Sequence, residues 1–227
     1  MHARLISHSQ PSGRIHSGES VNGLDNIQDL IAYCARVSNP SNQINSATTP
    51  KLLSYLIKHK HWSPFEMASA CIEVETTRDI ARQLLRHRSF SFQEFSQRYA
   101  DVRDLGDDFV LREARLQDHK NRQNSIPTDN TELIHMWDDK QEELIEKVKE
   151  VYKWAIDNGI AKEQARAVLP EGLTKSRLYV NGTIRSWIHF IELRSGNGTQ
   201  KEHMELARAI AEAISKIYPD VTNFISE

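Results

Sequence analysis

The sequence predicts an α+β fold in which several amphipathic helices accompany a small number of strands. The clearest helical signal runs from Leu206 to Ile217, where apolar residues return every three or four positions. The clearest strand signal runs from Met67 to Thr76, where alternate residues face opposite sides. The helices and strands do not follow one another as repeated βαβ units, so the order of elements favours the α+β class.

Two helices are predicted ahead of that strand. The first covers residues 25–36, because its apolar residues fall at i, i+3, i+4 and i+7. The second is capped by Thr49, has a proline at its first position and runs to about Lys60. Nearer the N-terminus, residues 2–8 are predicted as a short strand and Ser9 to Gly23 as a loop.

The remaining elements rest on the same periodicities. They are a helix from Thr77, as its cap, to Arg88; an irregular segment over 101–130; a long helix from Leu133 to Asn158; a short helix over 161–169; a strand from Leu173 to Asn181; and a helix carrying Ile184, Trp187, Ile188 and Ile191.

Composition limits the classes of function. The chain has 227 residues, 39% hydrophobic and 26% charged, which is typical of a soluble globular protein with one domain or two small ones. Its formal net charge of -2 argues against a general nucleic-acid binder, which usually carries a basic domain. No apolar run approaches the ~20 residues that span a bilayer, so a cytoplasmic protein with no membrane partner is expected.

The cysteines and the paired histidines are interpreted as structural. Cys34 lies on an apolar helix stripe and Cys71 in a strand, and no CxxC motif occurs. His59 and His61 are two residues apart and so lie on different helix faces, and no metal site is predicted. His61 precedes a Ser-Pro step, which favours a helix-terminal position.

The most unusual stretch is RHRSFSFQEFSQRY, residues 86–99, which combines four basic side chains with four aromatic rings. Arginine offers a planar fork of donors that suits phosphate, and rings suit a planar heterocycle. Three interpretations of this stretch are open: a nucleotide pocket, a solvated basic face and an RNA-binding patch. The near-neutral net charge of the chain argues against the RNA-binding patch. Phe90, Phe92 and Phe95 fit core packing as well as base stacking.

Two arginines outside this stretch are candidates as well. Arg194 lies seven residues after Trp187, at the edge of an apolar helix arc, where a guanidinium either reaches solvent or faces a ligand. Arg166 alone is indistinguishable from a surface arginine.

The spacing of these residues resembles a known family signature. An RHR triplet at Arg86–Arg88, seven residues, Ser96 and then xR resembles the signature of the flavin-dependent thymidylate synthases. Flanking elements agree in order from about residue 30 to 205, so the resemblance covers most of the chain. These elements are ARVS at 35–38, HWSPFE at 61–66, ARAVLP at 165–170 and RSWIHFIELR at 185–194.

The resemblance implies an α/β fold of the α+β type, with a central, mostly antiparallel sheet flanked by helices in a single domain over 1–227. It implies reductive methylation of dUMP to dTMP, with 5,10-methylenetetrahydrofolate as carbon donor, FAD as cofactor and NADPH as reductant. It also implies a homotetramer whose active sites are shared between subunits.

The resemblance also assigns residues, and Arg194 is expected to activate the uracil ring electrostatically without a cysteine nucleophile. The residues expected to bind dUMP are Gln83, Arg86, Glu94, Ser96, Gln97, Arg98, Arg166 and Arg194. Those expected to contact FAD are Ser38, Ser63, Glu66, Arg86, His87, Arg88, Glu94, Arg185 and His189. His61 is placed on the folate or hydride route. Thr183, Asn197 and Gly198 depart from residues found in some relatives, so no flavin contact is carried over to 181–183 or 197–198.

Overall fold

A four-stranded antiparallel sheet organises the fold. A computed structural model describes residues 1–12, 24–106 and 109–226. Within these, the strands are β1 (His2–His8), β2 (Ser69–Thr77), β3 (Ser91–Glu94), β4 (Arg115–Gln117), β5 (Ser125–Pro127) and β6 (Lys175–Thr183). The main sheet has the order β1-β2-β6-β3, and every neighbouring pair is antiparallel. The predicted fold class is therefore confirmed.

Helices pack against this sheet and continue beyond it. They are α1 (Ile27–Ala35), α2 (Thr49–Lys58), α3 (Arg78–Leu84), α4 (Thr131–Asp157), α5 (Lys162–Ala165), α6 (Ile184–Arg194) and α7 (Lys201–Ser215). Shorter 3-10 turns occupy Pro40–Asn42, Ser46–Thr48, Ser63–Met67, Val102–Leu105, Arg166–Val168 and Pro219–Phe224. Among the described helices, none is both long enough and apolar enough to cross a membrane.

The main core lies between the sheet and helices α6 and α7. Ile72 and Val74 of β2 are fully buried there, as the alternation of that strand predicts. Trp187 of α6 is buried too, and its indole Nε1 donates to the backbone oxygen of Ala70 at 3.0 Å. Each such side chain contributes ~1.5–3 kcal/mol through burial, so this core fixes α6 against the sheet.

The helix that precedes the signature is shorter than predicted. Thr77 takes its N-cap position, but the helix ends at Leu84 and does not reach Arg88. The chain turns there, with the His87 amide donating to the Leu84 oxygen, and returns to the sheet as β3. The strand β3 was not predicted, because four mostly polar residues give too short a signal and pairing with β6 stabilises them.

Two other boundaries differ from the sequence prediction. Thr49 lies inside α2, and its predecessor Thr48 takes the cap position without a side-chain bond. The segment over 101–130 is more ordered than predicted, since it contains a 3-10 turn and the paired strands β4 and β5. Most of the loop predicted from Ser9 to Gly23 lies outside the described residues.

Candidate active site

Arg194 is held at the end of α6 by a histidine of the signature. Its Nε donates to His87 Nε2 at 3.0 Å. A guanidinium can only donate, so His87 Nε2 must accept, and the ring carries its proton on Nδ1. Burial lowers the pKa of His87 to about 4, with help from Arg194 and His189. A neutral imidazole therefore holds Arg194 by a hydrogen bond and adds no second positive charge beside it.

The terminal nitrogens of Arg194 remain available. Among the described residues, no hydrogen bond or ion pair engages either Nη atom. The side chain is half-buried, and the ring of His87 packs edge-on against Phe190 at a centroid distance of 5.0 Å. This arrangement presents a fixed cation whose terminal donors are not used by the part of the chain that the structure describes.

Gln83, the last polar residue of α3, lies in a chain of side-chain hydrogen bonds. Its Nε2 donates to Gln200 Oε1 at 2.7 Å, and its Oε1 lies 3.1 Å from His203 Nδ1. Gln200 Nε2 in turn donates to Glu202 Oε2 at 2.9 Å. Three residues at the start of α7 thus support a residue that was expected to bind dUMP.

Glu202 is a buried carboxylate with two arginine partners. Arg115 Nη2 donates to its Oε1, and Arg112 Nη1 lies 3.5 Å from the same oxygen. Burial alone would raise the pKa of the Glu202 carboxyl. Its backbone bond, the Gln200 amide, Arg115 and Arg112 together lower that pKa instead. Glu202 therefore stays ionised near neutral pH.

The sequence reasoning missed the residues of this network. A signal was present, because Glu202 and His203 lie one turn before Leu206 and Ala207, on the apolar face of α7. Polar residues on such a stripe are expected to have partners. Arg112 and Arg115 fall in the segment for which no function was predicted.

A second cluster surrounds a cavity of about 370 Å³ beside α3. Arg78, Arg82, Gln97 and Arg166 line it, together with two carboxylates and apolar atoms. Gln97 is buried, and its Nε2 has no partner among the described residues. Within the described ranges, Arg166 makes one hydrogen bond, from its Nε to the Glu163 backbone oxygen at 3.3 Å. Unused donors and three guanidinium groups suit an anionic ligand.

Glu94 and Arg98 lie near this cavity but have protein partners. Glu94 accepts from Ser176 Oγ at 2.9 Å and from Arg78 Nη1 at 3.4 Å. Arg98 lies 3.6 Å from Glu163, and both side chains are largely exposed. Ser96 is exposed, and no bond to its hydroxyl occurs within the described part of the chain.

A third cluster lines a cavity of about 540 Å³ between the Ser63–Met67 turn and α6. Trp62, Glu66, Arg185 and His189 belong to its wall, and Arg185 Nη1 donates to Glu66 Oε1. Its volume falls within the range of small-molecule sites, about 300–1,000 Å³. His189 also contributes to the lowered pKa of His87, which places this cavity next to the Arg194 cluster.

Comparison with known proteins identifies the family. Residues 21–220 match the family model described as thymidylate synthase complementing protein. The chain is 50% identical over 221 residues to a probable flavin-dependent thymidylate synthase of Paramecium bursaria Chlorella virus 1, and the match covers 97% of each chain. This chain belongs to the flavin-dependent thymidylate synthase family. The resemblance drawn from the signature is therefore confirmed, as is the prediction of an enzyme.

Two further similarities agree with that family assignment. A flavin-dependent thymidylate synthase from a Synechocystis strain is 45% identical over 221 residues, covering 97% of each chain. The crystal structure of a UMP/dUMP methylase from Streptomyces cacaoi, bound with 5-Br dUMP, has a TM-score of 0.77 and 27% identity. That match covers 98% of this chain and 93% of the methylase.

The residues expected to form the synthase site fall into separate groups. Gln83, His87 and Arg194 lie in the first cluster; Glu94, Gln97, Arg98 and Arg166 lie in or beside the second; and Glu66, Arg185 and His189 line the third. No hydrogen bond or ion pair in the described chain joins the first group to the second. Helix α3 carries residues of both on neighbouring turns.

The other expected site residues stand at the surface. Arg86 and Arg88 are exposed, and among the described residues neither has an ion-pair partner. Ser38 and Ser63 are exposed as well. The ring of His61 lies near those of Tyr55 and His59, at centroid distances of 6.2 and 6.1 Å. Of the positions that depart from some relatives, Thr183 caps α6 by accepting from the Ser186 amide.

Proposed function

We propose that this chain catalyses the FAD-dependent reductive methylation of dUMP to dTMP, with 5,10-methylenetetrahydrofolate as carbon donor and NADPH as reductant. The observation that carries the proposal is the state of Arg194, whose guanidinium is fixed by a neutral histidine while its terminal donors have no partner among the described residues. The dUMP analogue bound to the similar Streptomyces methylase supports the choice of substrate.

Arg194 activates the pyrimidine in this proposal. Carbon 5 of uracil is a poor nucleophile, and it becomes a better one when negative charge develops on the ring. A guanidinium stays protonated and cannot act as a base, but as a fixed cation it favours an N3-deprotonated or enolate-like ring. The bond to His87 holds it in place before the substrate arrives.

The proposal requires no cysteine nucleophile. Burial raises the pKa of the thiols of both Cys34 and Cys71, so each stays protonated near neutral pH. A thiolate attack on carbon 6 needs a lowered thiol pKa and a positive surrounding. The state of these thiols supports a mechanism that relies on Arg194.

Binding of dUMP is divided between two clusters. Gln83, Arg86 and Arg194 would meet the base, and the cluster around Gln97 and Arg166 would meet the phosphate, with Glu94, Ser96 and Arg98 beside it. The phosphate carries about -2 charge near neutral pH, which suits the unused arginine donors. We further propose a homotetramer, in which a neighbouring copy supplies the second cluster, and a single domain over 1–227 in each copy.

The third cluster fits a flavin by its chemistry. Trp62 offers an aromatic wall, and Glu66 and Arg185 offer hydrogen-bonding groups. The exposed Arg88, next in sequence to Ser89 of the cavity wall, would offer charge for a pyrophosphate. Ser38, Ser63, Arg86, His87, Glu94 and His189 would complete this set. A bound FAD would supply the two-electron reducing chemistry. His61, beside this cavity, is assigned to the folate or hydride route.

The test replaces Arg194 with alanine in the FAD-loaded protein. We expect dTMP formation to be lost while flavin content stays near that of the wild type. The matched control is Arg122→Ala, which removes an exposed arginine from the β4–β5 connection and should leave the rate unchanged. Methylation by Arg194→Ala at the wild-type rate would contradict the assigned role. Absence of both FAD and dUMP binding in the wild type would overturn the function.

A further inference from the structure

The hydrogen-bond chain behind Gln83 has a direction. It begins at His203, passes through Gln83 and Gln200, and ends on the Glu202 carboxylate. A side-chain amide has a donor end and an acceptor end, and either end can face a neighbour that both donates and accepts. A carboxylate only accepts, so the end of the chain determines the orientation of every group before it.

The orientation of each group in this hydrogen-bond chain is determined by the next group towards Glu202. The ionised Glu202 requires the Nε2 end of Gln200, which turns the Oε1 of Gln200 towards Gln83. That oxygen requires the Nε2 end of Gln83, which turns the Oε1 of Gln83 towards His203. His203 must therefore hold its proton on Nδ1. Burial lowers the pKa of His203 to about 3, with help from Arg194 and His87, so the ring is neutral.

Two arginines keep the last group of the chain charged. Arg115 and Arg112 both contact Glu202 Oε1, while its Oε2 accepts from Gln200. Without these cations, burial would favour the protonated carboxyl, which donates as well as accepts and would permit the reverse chain. Hydrogen bonds arranged head to tail also polarise one another, which strengthens the observed direction.

We propose that Gln200 and Glu202 are positioning residues that hold the amide of Gln83 in one orientation, and that this orientation selects uracil over cytosine. The inference rests on the proposed function, in which Gln83 contacts the pyrimidine of dUMP. The neutral uracil that binds, before Arg194 activates it, presents an N3–H donor beside the O4 acceptor, whereas cytosine presents an N3 acceptor beside the N4 donor. An amide free to rotate by half a turn matches either base, and a fixed amide matches one.

Gln83 has hydrogen-bonding capacity left for such a contact. Its Nε2 carries a second N–H and its Oε1 a second lone pair, and the side chain is half-buried, with part of it accessible. A site whose polar groups are fixed rejects a mismatched ligand because those groups would be left unpaired. The hydrogen-bond chain thus holds the Gln83 amide in one orientation, and in that orientation the amide matches uracil and not cytosine.

The test compares dUMP with dCMP by titration calorimetry on the FAD-loaded protein. Glu202→Gln replaces a carboxylate, which only accepts, with an amide that can present either end. The direction of every hydrogen bond from Glu202 back to His203 can then reverse. We expect the ratio of dUMP to dCMP affinity to fall about tenfold or more, because a reversed Gln83 pairs with cytosine. The melting temperature and flavin content report separately on folding.

A second variant guards against loss of structure in the first. Gln200→Leu interrupts the chain but leaves Glu202 with Arg112 and Arg115, so their ion pairs persist. It should lower the same ratio, and adding Glu202→Gln to it should bring no further loss, since the two changes act on one path. Glu205→Gln is the matched control, because it makes the same chemical change at an exposed site on α7 and should keep the wild-type ratio.

The outcomes separate this inference from the proposed function. If Gln200→Leu kept the wild-type ratio of dUMP to dCMP affinity, or bound both nucleotides more weakly by the same factor, the hydrogen-bond chain would have a purely structural role. That result would overturn the inference alone. Failure of the wild type to bind dUMP would overturn the proposed function, and the selectivity argument with it.

Discussion

The ring of Phe90 packs against Gly182 of β6, a residue that has no side chain. A Cβ atom added at Gly182 of β6 would lie 2.2 Å from Phe90 Cδ1 and 2.4 Å from Cε1. The ring cannot withdraw easily, because Trp187 lies at a centroid distance of 4.3 Å and Phe190 at 6.0 Å. Between base stacking and core packing, the two roles open to this phenylalanine, the structure shows core packing.

Gly182→Ala should therefore destabilise the protein. The added methyl group forces the Phe90 ring off its position, and overpacking of this kind costs ~1–3 kcal/mol. Urea unfolding should show the lower free energy of unfolding. Gly172→Ala is the control, because nothing lies within 4 Å of a Cβ added there. Equal midpoints for the two variants would contradict the tight contact.

At the scale of elements, Arg112 connects three helices that are remote in sequence. Its Nη2 donates to Thr77 Oγ1 and Asp79 Oδ1, both at 2.6 Å, at the start of α3. Its backbone amide donates to Gln141 of α4 at 2.7 Å, and its Nη1 faces Glu202 of α7. Residues 110–114, which precede β4 and form no helix or strand, thus connect α3, α4 and α7 through Arg112.

Replacing Arg112 with methionine should cost far more stability than an ordinary surface change. The variant leaves the carboxylates of Asp79 and Glu202 without one of their cations, and breaking a mostly buried pair costs ~3–5 kcal/mol. Guanidinium unfolding should report a loss of about that size. Lys147→Met, which breaks an exposed pair with Glu150, should cost at most ~1 kcal/mol. A comparable loss in both variants would disprove the special role of Arg112.

At the scale of the whole molecule, two neutral histidines lie where α3, α6 and α7 meet. The pKa of His87 is about 4 and that of His203 about 3, against an ordinary value of 6.5. Both values are lowered, so the folded protein binds these protons less readily than the unfolded chain does. Stability is then complete above about pH 6.5 and falls as the pH drops towards 4.

Acid should therefore destabilise the protein well before its carboxylates titrate. The free energy of unfolding should fall between pH 6.5 and 4 by up to ~1.4 kcal/mol per pH unit for each histidine. Chemical unfolding at several pH values measures this slope. His87→Gln should make it shallower, since the new side chain does not titrate, with His119→Gln as the exposed-histidine control. An identical slope in His87→Gln and the wild type would contradict this account.

Local patterns in the sequence predicted the elements well, and partners far away in the chain explain the exceptions. The stripe of α7 and the alternation of β2 are visible in single segments, and both elements were found. The strand β3 exists because β6 lies beside it, and no local pattern contains that information. The contact of Arg115 with Glu202 likewise joins residues 87 positions apart.

The candidate site, like the fold, was predicted from the sequence only in part. Spacing and resemblance pointed to Arg194 and Gln83, which the structure holds in defined hydrogen bonds, but their roles remain predictions. The residues that support them were missed, because a signature names groups that face a ligand and not those behind them. Gln200 looks ordinary in the sequence, and its importance comes from what lies on either side of it in space.

The position of β3 also constrains the length of the signature in this chain. Seven residues separate Arg88 from Ser96, and four of them pair with β6 in a register that runs from Ser91 opposite Asn181 to Glu94 opposite Leu178. One residue inserted within β3 would turn the side chains that follow it in the strand to the other face of the sheet. The number of residues between Arg88 and Ser96 is therefore tied to the register of β3 on β6. A change in that number would displace Ser96 relative to the RHR triplet, even if every residue of the signature were kept.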